Sequence, residues 1–479
     1  MKRSGFLILL LSALVLSTAG RRREGPGKPA GKPNIIIIFT DDQRYNTVHA
    51  LGNDQVITPN LDGLVHHGTV FTHAFNMGAW HGAVCVASRA MLLTGMSVWD
   101  VKNQEKDYAP LIARQGFWPQ QMKNAGYETY MTGKWHVATD ATKLFDHARN
   151  IRPGMADQTP QGYNRPQSPT DTLWQPWKEE YGGFWQGGKH WSQVVADDAV
   201  DYLTDASRKD KPFFMYLAFN APHDPRQAPK RWVDRYPVNK IIVPESFVAE
   251  YPYKDEMGCG KDLRDEQLAP FPRTKYAVQK HIQEYYASIS YMDEQVGRIL
   301  EALKKSGKAE NTYIFFTADH GLAIGHNGLL GKQSMFDHSV RPPLVVSGPG
   351  IPQGQRRDQN VYLQDVMATS YELAGVSKPS HVFFNSLLPI VRDRQLKSPY
   401  EDIYGCYMDL QRMIRTDRYK LIVYPKTSRV LLFDLKKDPL EMHDIANQPA
   451  SKPVLDNLKK RLIQRQKAMH DELSLSWLM

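Results

Sequence analysis

The stretch Asn34-Ile35-Ile36-Ile37-Ile38-Phe39-Thr40 constrains this chain more than any other. A run of β-branched and apolar residues without alternation fits a strand buried on both faces, the situation inside a parallel sheet covered by helices. Similar runs recur at 127–132, 213–219, 313–317 and 344–346. Long segments of helical pattern separate them, such as 285–303, where apolar residues recur at three and four. Strands alternating with helices predict a layered α/β fold. In such sheets ligands gather at the carboxyl ends of the strands. Here those ends are polar: Asp41-Asp42 follows the first run, Lys134 and His136 the second, His223 the third and Asp319-His320 the fourth.

A chain of 479 residues, 42 % hydrophobic and 23 % charged, is globular and is not a disordered, collagen-like or coiled-coil protein. Its three cysteines cannot build a disulfide framework, and Cys259 and Cys406 stand either as one pair or as two thiols. Lys2, Arg3, the apolar run 6–16 and Ser17-Thr18-Ala19 predict a signal peptide over 1–19, with a flexible basic leader over 20–32. The run is too short for a bilayer, which needs about 20 apolar residues. The expectation is a secreted or periplasmic protein with no stable membrane insertion. Cleavage after Ala19 removes two of the positive charges behind the formal +9. A surface that stays basic favours polyanions: sulfated glycans, acidic envelopes or nucleic acid.

Segments 161–188 and 243–274 lack periodicity and read as long ordered loops, which are uncommon in compact domains unless functional. From about 380 the character changes. Antiparallel strands are expected at 419–423 and 430–433 and a closing amphipathic helix at 453–469, so the division expected is a catalytic domain over 33–379 and a small α+β subdomain over 380–479.

Cys85-Val86-Ala87-Ser88-Arg89 opens a predicted helix that runs to Leu93-Thr94-Gly95. Cysteine and arginine four residues apart share a helical face. The helix N-terminus and the guanidinium favour an anion beside position 85, the alternative being a small buried thiol. Asp41, Asp42 and Asp319 offer hard oxygen ligands suited to Ca²⁺ or Mg²⁺.

With these residues the chain resembles the type I, formylglycine-dependent sulfatases of the alkaline phosphatase superfamily, whose signature is Cys-x-Pro/Ala-Ser-Arg followed by Leu-Thr-Gly. Ala87 stands where proline is commoner. The resemblance continues in family order through Asp41-Asp42, Gly133-Lys134-Trp135-His136, Ala221-Pro222-His223, Thr317-Ala318-Asp319-His320-Gly321 and Gly331-Lys332. The pattern around Pro222-His223-Asp224-Pro225-Arg226 is similar to iduronate-2-sulfatase-like and choline-sulfatase-like members.

The resemblance implies an alkaline-phosphatase-like sandwich: a large mixed, mostly parallel central sheet flanked by helices, with an antiparallel sheet in the C-terminal subdomain. It implies one Ca²⁺ per chain, with Mg²⁺ less favoured, held by Asp41, Asp42, residue 85, Asp319 and His320. His320 stands where many relatives have asparagine. Cys85 is expected as 3-oxoalanine (formylglycine), made by a formylglycine-generating or anaerobic sulfatase-maturing enzyme. One hydroxyl of its hydrate attacks sulfur, and loss of the other hydroxyl's proton later eliminates sulfate. Arg89 holds the hydrate and the metal-side charge, and Lys134 and Lys332 clamp sulfate oxygens. His136 serves as base for the elimination, and His223 protonates the leaving oxygen. His81, His326, His338 and Arg226 either line the substrate pocket or are structural. Aromatic loops around 174–191 and the basic charge suit a sulfated carbohydrate, with no nucleic acid partner. The competing readings are a phosphate or phosphonate ester hydrolase of the same superfamily and a catalytically dead glycan-binding protein.

Overall fold

The structure, a computed structural model, describes residues 31–479, and Lys32–Met479 form one compact unit. The expected signal peptide over 1–19 and most of the leader over 20–32 lie outside the described residues.

An eight-stranded sheet forms the centre, in the spatial order Gln355–Arg357, Gly68–Phe71, Leu344–Ser347, Thr312–Ala318, Asn34–Thr40, Phe213–Ala218, Glu128–Lys134 and His147–Arg152. All neighbours run parallel except around Leu344–Ser347, which is antiparallel to both strands it touches. Asn34–Thr40 lies in the middle, paired with Thr312–Ala318 on one side and Phe213–Ala218 on the other, and every residue in it is buried. This is why the run has no polar alternation: both of its faces meet apolar layers.

One layer contains Lys275–Lys305, a 31-residue helix whose Thr274 cap accepts a hydrogen bond from Ala277 N–H. The other contains Val84–Thr94, which ends on Gly95 at φ 73°. A Cβ at Gly95 would stand 2.8 Å from Val382 and 2.9 Å from the Met367 sulfur, so both the backbone conformation and the packing require glycine there.

A second sheet has the order Arg429–Asp434, Tyr419–Tyr424, Gln411–Arg415, Ile403–Tyr407 and Gly78–Ala79. Its first four strands are antiparallel, as expected for the C-terminal region, and Lys452–Ala468 forms the closing helix. Its fifth strand comes from the N-terminal part of the chain: Gly78 and Ala79 pair in parallel with Cys406 and Tyr407. No single helix among the described residues is long and apolar enough to cross a membrane. Cys85, Cys259 and Cys406 are buried free thiols, and Cys259 Sγ donates to the carbonyl of Gln333 at 3.2 Å.

Candidate active site

The strand ends bring the expected residues together. Cys85 lies in the first turn of the helix Val84–Thr94 and is 3 % exposed. Ligand atoms of Asp41, Cys85, Asp319 and His320 lie within 4.8 Å of one another, as do those of Asp41, Asp42, Cys85 and His223. Arg89, one helical turn on from Cys85, donates through Nη2 to Asp41 at 3.2 Å and through Nε to Asp319 at 3.2 Å. Its Nη1 reaches the carbonyl of Lys134 at 3.0 Å. The ammonium of Lys134 contacts Asp41, and that of Lys332 lies 3.0 Å from both carboxylate oxygens of Asp42. His223 Nε2 is 2.8 Å from Lys332 Nζ.

Tyr285 and Asn76, outside the motifs, and Ser88, within the signature, hold this arrangement. The Tyr285 hydroxyl, on the long helix, donates to the Asp42 carbonyl at 2.6 Å. Ser88 Oγ and Asn76 Nδ2 both donate to the Asp319 carbonyl, at 2.7 and 2.9 Å. Asp42 and His136 adopt positive φ, 58° and 56°, although neither is glycine, so each strand end stores backbone strain where a functional side chain is presented. The imidazole of His136 packs directly over Gly154, where a Cβ would stand 2.2 Å from Nε2.

The electrostatics fit a hard divalent cation. Burial and the neighbouring Asp41 push the Asp319 carboxyl up to about 6, and burial, against His223 and Lys332, raises that of Asp42 as well. Burial opposes ionisation of Asp41 too, but Lys134, His223 and Arg89 together outweigh it and hold this carboxyl below its usual range. Arg89, Lys134 and Lys332 already offset the three carboxylates in charge, so the fit to a cation rests on the ligand atoms left without partners. Asp41 Oδ1 and His320 Nε2 are buried without a hydrogen-bond partner. His320 Nδ1 lies 2.8 Å from the Gly321 carbonyl, so Nδ1 carries the hydrogen and Nε2 faces the carboxylates. Burial lowers its pKa, but Asp319 and Asp42 outweigh this and hold it at about 10, so an entering cation would displace a proton from Nε2. Burial also opposes ionisation of Cys85. Lys134 and Lys332, with the His136 and His223 imidazoles, nonetheless hold its thiol well below the usual cysteine range.

Other candidates lie in different settings. His326 and His338 stack with ring centroids 5.7 Å apart and bond Ser246 and Ser339. His81 is partly exposed and lies 3.4 Å from Glu105. Arg226 is buried, with Nη1 3.3 Å from His281 Nδ1 and its Nε and Nη2 unpartnered.

A mostly parallel α/β sheet with carboxylates, lysines and a buried cysteine on a helix at its strand ends suits a hydrolase of tetrahedral oxyanion esters. The family profile described as Sulfatase matches residues 33–376, and one described as N-sulphoglucosamine sulphohydrolase, C-terminal, matches 325–468. The chain belongs to the sulfatase family and is a sulfuric ester hydrolase. An arylsulfatase from Clostridium perfringens is 30 % identical, covering 90 % of this chain and 94 % of its own. Among solved structures, an enzyme in complex with its substrate D-glucosamine-2-N,6-O-disulfate has a TM-score of 0.72 at 23 % identity, covering 92 % of this chain and 99 % of its own. A phosphonate monoester hydrolase of Agrobacterium radiobacter has a TM-score of 0.71 at 20 % identity, covering 91 % and 96 %.

Proposed function

We propose that this chain is an exported sulfatase of sulfated carbohydrates. In this reading Cys85 is oxidised to formylglycine by a maturation enzyme, and Asp41, Asp42, Asp319 and His320 hold one Ca²⁺ beside it. The observation that carries the proposal is the convergence of Asp41, Asp319 and His320 on Cys85 within 4.8 Å, walled by Arg89, Lys134 and Lys332. When present, the formylglycine hydrate supplies an oxygen nucleophile and the cation neutralises charge on the sulfate oxygens. Lys134 and Lys332 bind those oxygens as point charges, and Arg89 fixes the carboxylates that orient residue 85. His223 delivers a proton from Nε2 to the leaving oxygen, and His136 accepts one from residue 85 when sulfate is released.

Two observations favour a sugar substrate. The aromatic-rich loop 161–188 adjoins the pocket through Gln158, just ahead of it, which donates to Asp224 next to His223. The structurally similar enzyme named above acts on a sulfated glucosamine. Likeness to the phosphonate monoester hydrolase keeps phosphate or phosphonate ester hydrolysis as the second reading.

The test is a side-by-side assay of the sulfate, phosphate and phenylphosphonate esters of 4-nitrophenol, with mass spectrometry of the peptide carrying residue 85. Dominant sulfate turnover and a peptide with the mass of the aldehyde are expected. Dominant phosphonate turnover, or an unmodified thiol in fully active enzyme, overturns the proposal.

A further inference from the structure

Five ionisable side chains close a circuit on one side of the pocket. His223 Nδ1 lies 2.7 Å from the Asp224 carbonyl and 3.2 Å from Asp224 Oδ1. With two oxygen acceptors at Nδ1, that nitrogen carries a hydrogen, and Nε2 is the ring atom left for proton exchange. Asp224 is gripped in turn by Arg264, whose Nη1 donates to Oδ2 and whose Nη2 lies 3.2 Å from Oδ1, and by Gln158. Arg264 Nη2 also donates to Asp265 Oδ1. Asp265 Oδ2 accepts from Gln333 at 2.8 Å and stands 3.6 Å from Lys332 Nζ. Lys332 Nζ, 2.8 Å from His223 Nε2, completes the circuit.

Exposed ion pairs hold little, because water screens them and their side chains lose rotamer freedom. This circuit is different: Asp224 and Asp265 are 2 % and 3 % exposed, and only the Arg264 side chain, at 32 %, reaches solvent. Arg264 and Asp265 come from the loop 243–274, and Gln158 from the segment before the aromatic loop. Two separate stretches of the chain therefore converge on the orientation of one imidazole and one ammonium. A bidentate arginine fixes direction as well as distance.

We infer that Asp224, Arg264 and Asp265 are positioning residues of the reaction, a clamp that aims His223 Nε2 at the leaving oxygen and holds the Lys332 ammonium on the sulfate oxygens beside it. This rests on the reading of His223 as proton donor given above. In that step sulfur bonds to the nucleophilic oxygen at residue 85 as its bond to the leaving oxygen breaks. The electron pair of the broken bond stays on the leaving oxygen, and that oxygen takes the proton from Nε2 of the imidazolium form of His223. The ring is left neutral, with its Nδ1–H still on Asp224. A strongly basic leaving oxygen needs the aligned proton, whereas 4-nitrophenolate departs nearly without one. Damage to the clamp should therefore grow with leaving-group basicity, a pattern that general loosening of the fold does not produce.

The test compares kcat and KM of the matured wild-type enzyme with Asp224→Asn, Arg264→Met and Arg264→Lys on 4-nitrophenyl, phenyl and 4-methoxyphenyl sulfate, with Tm measured in parallel. For Asp224→Asn and Arg264→Met, the loss in kcat on the two unactivated esters should exceed that on 4-nitrophenyl sulfate by about tenfold or more, within the 10²–10⁴ that general acids contribute. KM should stay within about threefold, and Arg264→Lys should recover part of the loss. Equal losses across the series, losses confined to KM, or unchanged kcat in folded variants overturn the inference while leaving the sulfatase reading in place. If Asp224→Asn does not fold, the partly exposed Arg264 variants decide. A wild-type enzyme that turns over none of these sulfates overturns the parent reading, and the inference with it.

Discussion

Replacing Gly154 by alanine tests how finely His136 must be placed. The added Cβ would stand 2.2 Å from Nε2, 2.3 Å from Cε1 and 2.7 Å from Cδ2 of the imidazole. Ordinary contact begins at 3.4 Å, so the ring must retreat by about 1.2 Å or the segment around 154 must lift by as much. His136 already sits at φ 56°, which leaves its backbone little freedom to follow. A misplacement of about 1 Å costs roughly 10²-fold in rate, or about 2.7 kcal/mol of barrier. Gly154 lies outside the left-handed region and is only half-buried, so alanine carries no conformational penalty of its own. The expected result is a kcat/KM for 4-nitrophenyl sulfate lowered about 10²-fold, with Tm changed by less than about 2 °C. Gly63→Ala serves as control: nothing lies within 4 Å of its Cβ position, and it sits inside the helix Pro59–His66. Activity should be unchanged there and stability raised by up to about 1 kcal/mol. A folded Gly154→Ala enzyme within twofold of wild type would refute the idea that the loop and the ring are matched in shape.

Cys85→Ala should abolish turnover while leaving Tm within a few degrees, because a small buried group is lost from a pocket already lined by charges; residual wild-type rates would remove position 85 from the chemistry. Ca²⁺ at about 100 times its Kd should stabilise the fold by about 2.7 kcal/mol, and chelation should reverse this; a Tm indifferent to both would contradict a cation among Asp41, Asp42, Asp319 and His320. Asp471 accepts from Arg412 Nε at 2.6 Å and from the Tyr404 hydroxyl at 2.7 Å, so Asp471→Ala should cost about 3 kcal/mol in denaturant unfolding. Burial opposes its ionisation, but Arg412 outweighs burial and holds its carboxyl below the usual range. Its stabilisation is therefore present above the unfolded pKa of about 4 and lost as pH falls through the folded value, so wild type and variant should converge in acid.

The central sheet and the catalytic cluster were legible where a local pattern coincides with global position. Ile35–Ile38 are buried on both faces, and the polar residues that interrupt such runs are the ones the strand ends bring together. The strand His147–Arg152 carries no sequence signal because it lies at the sheet edge with polar, part-exposed residues and no period. Gly78–Ala79 is too short to signal anything locally, and its strand character comes from a partner more than three hundred residues away. In Gln411–Arg415, buried Arg412 and Arg415 disguise an interior strand as a polar one. Arg264 and Asp265 show the same limit at the site. Their segment has no periodicity, and only tertiary structure sets them beside His223 and Lys332.

The pairing of Gly78 with Cys406 carries a consequence for biosynthesis. A ribosome adding about 5–20 residues per second needs roughly 15–65 s to extend the chain from one partner to the other. Throughout that interval the short strand just ahead of Cys85 lacks the partner it pairs with in the folded chain. The maturation proposed for Cys85 has that window before the second sheet is complete.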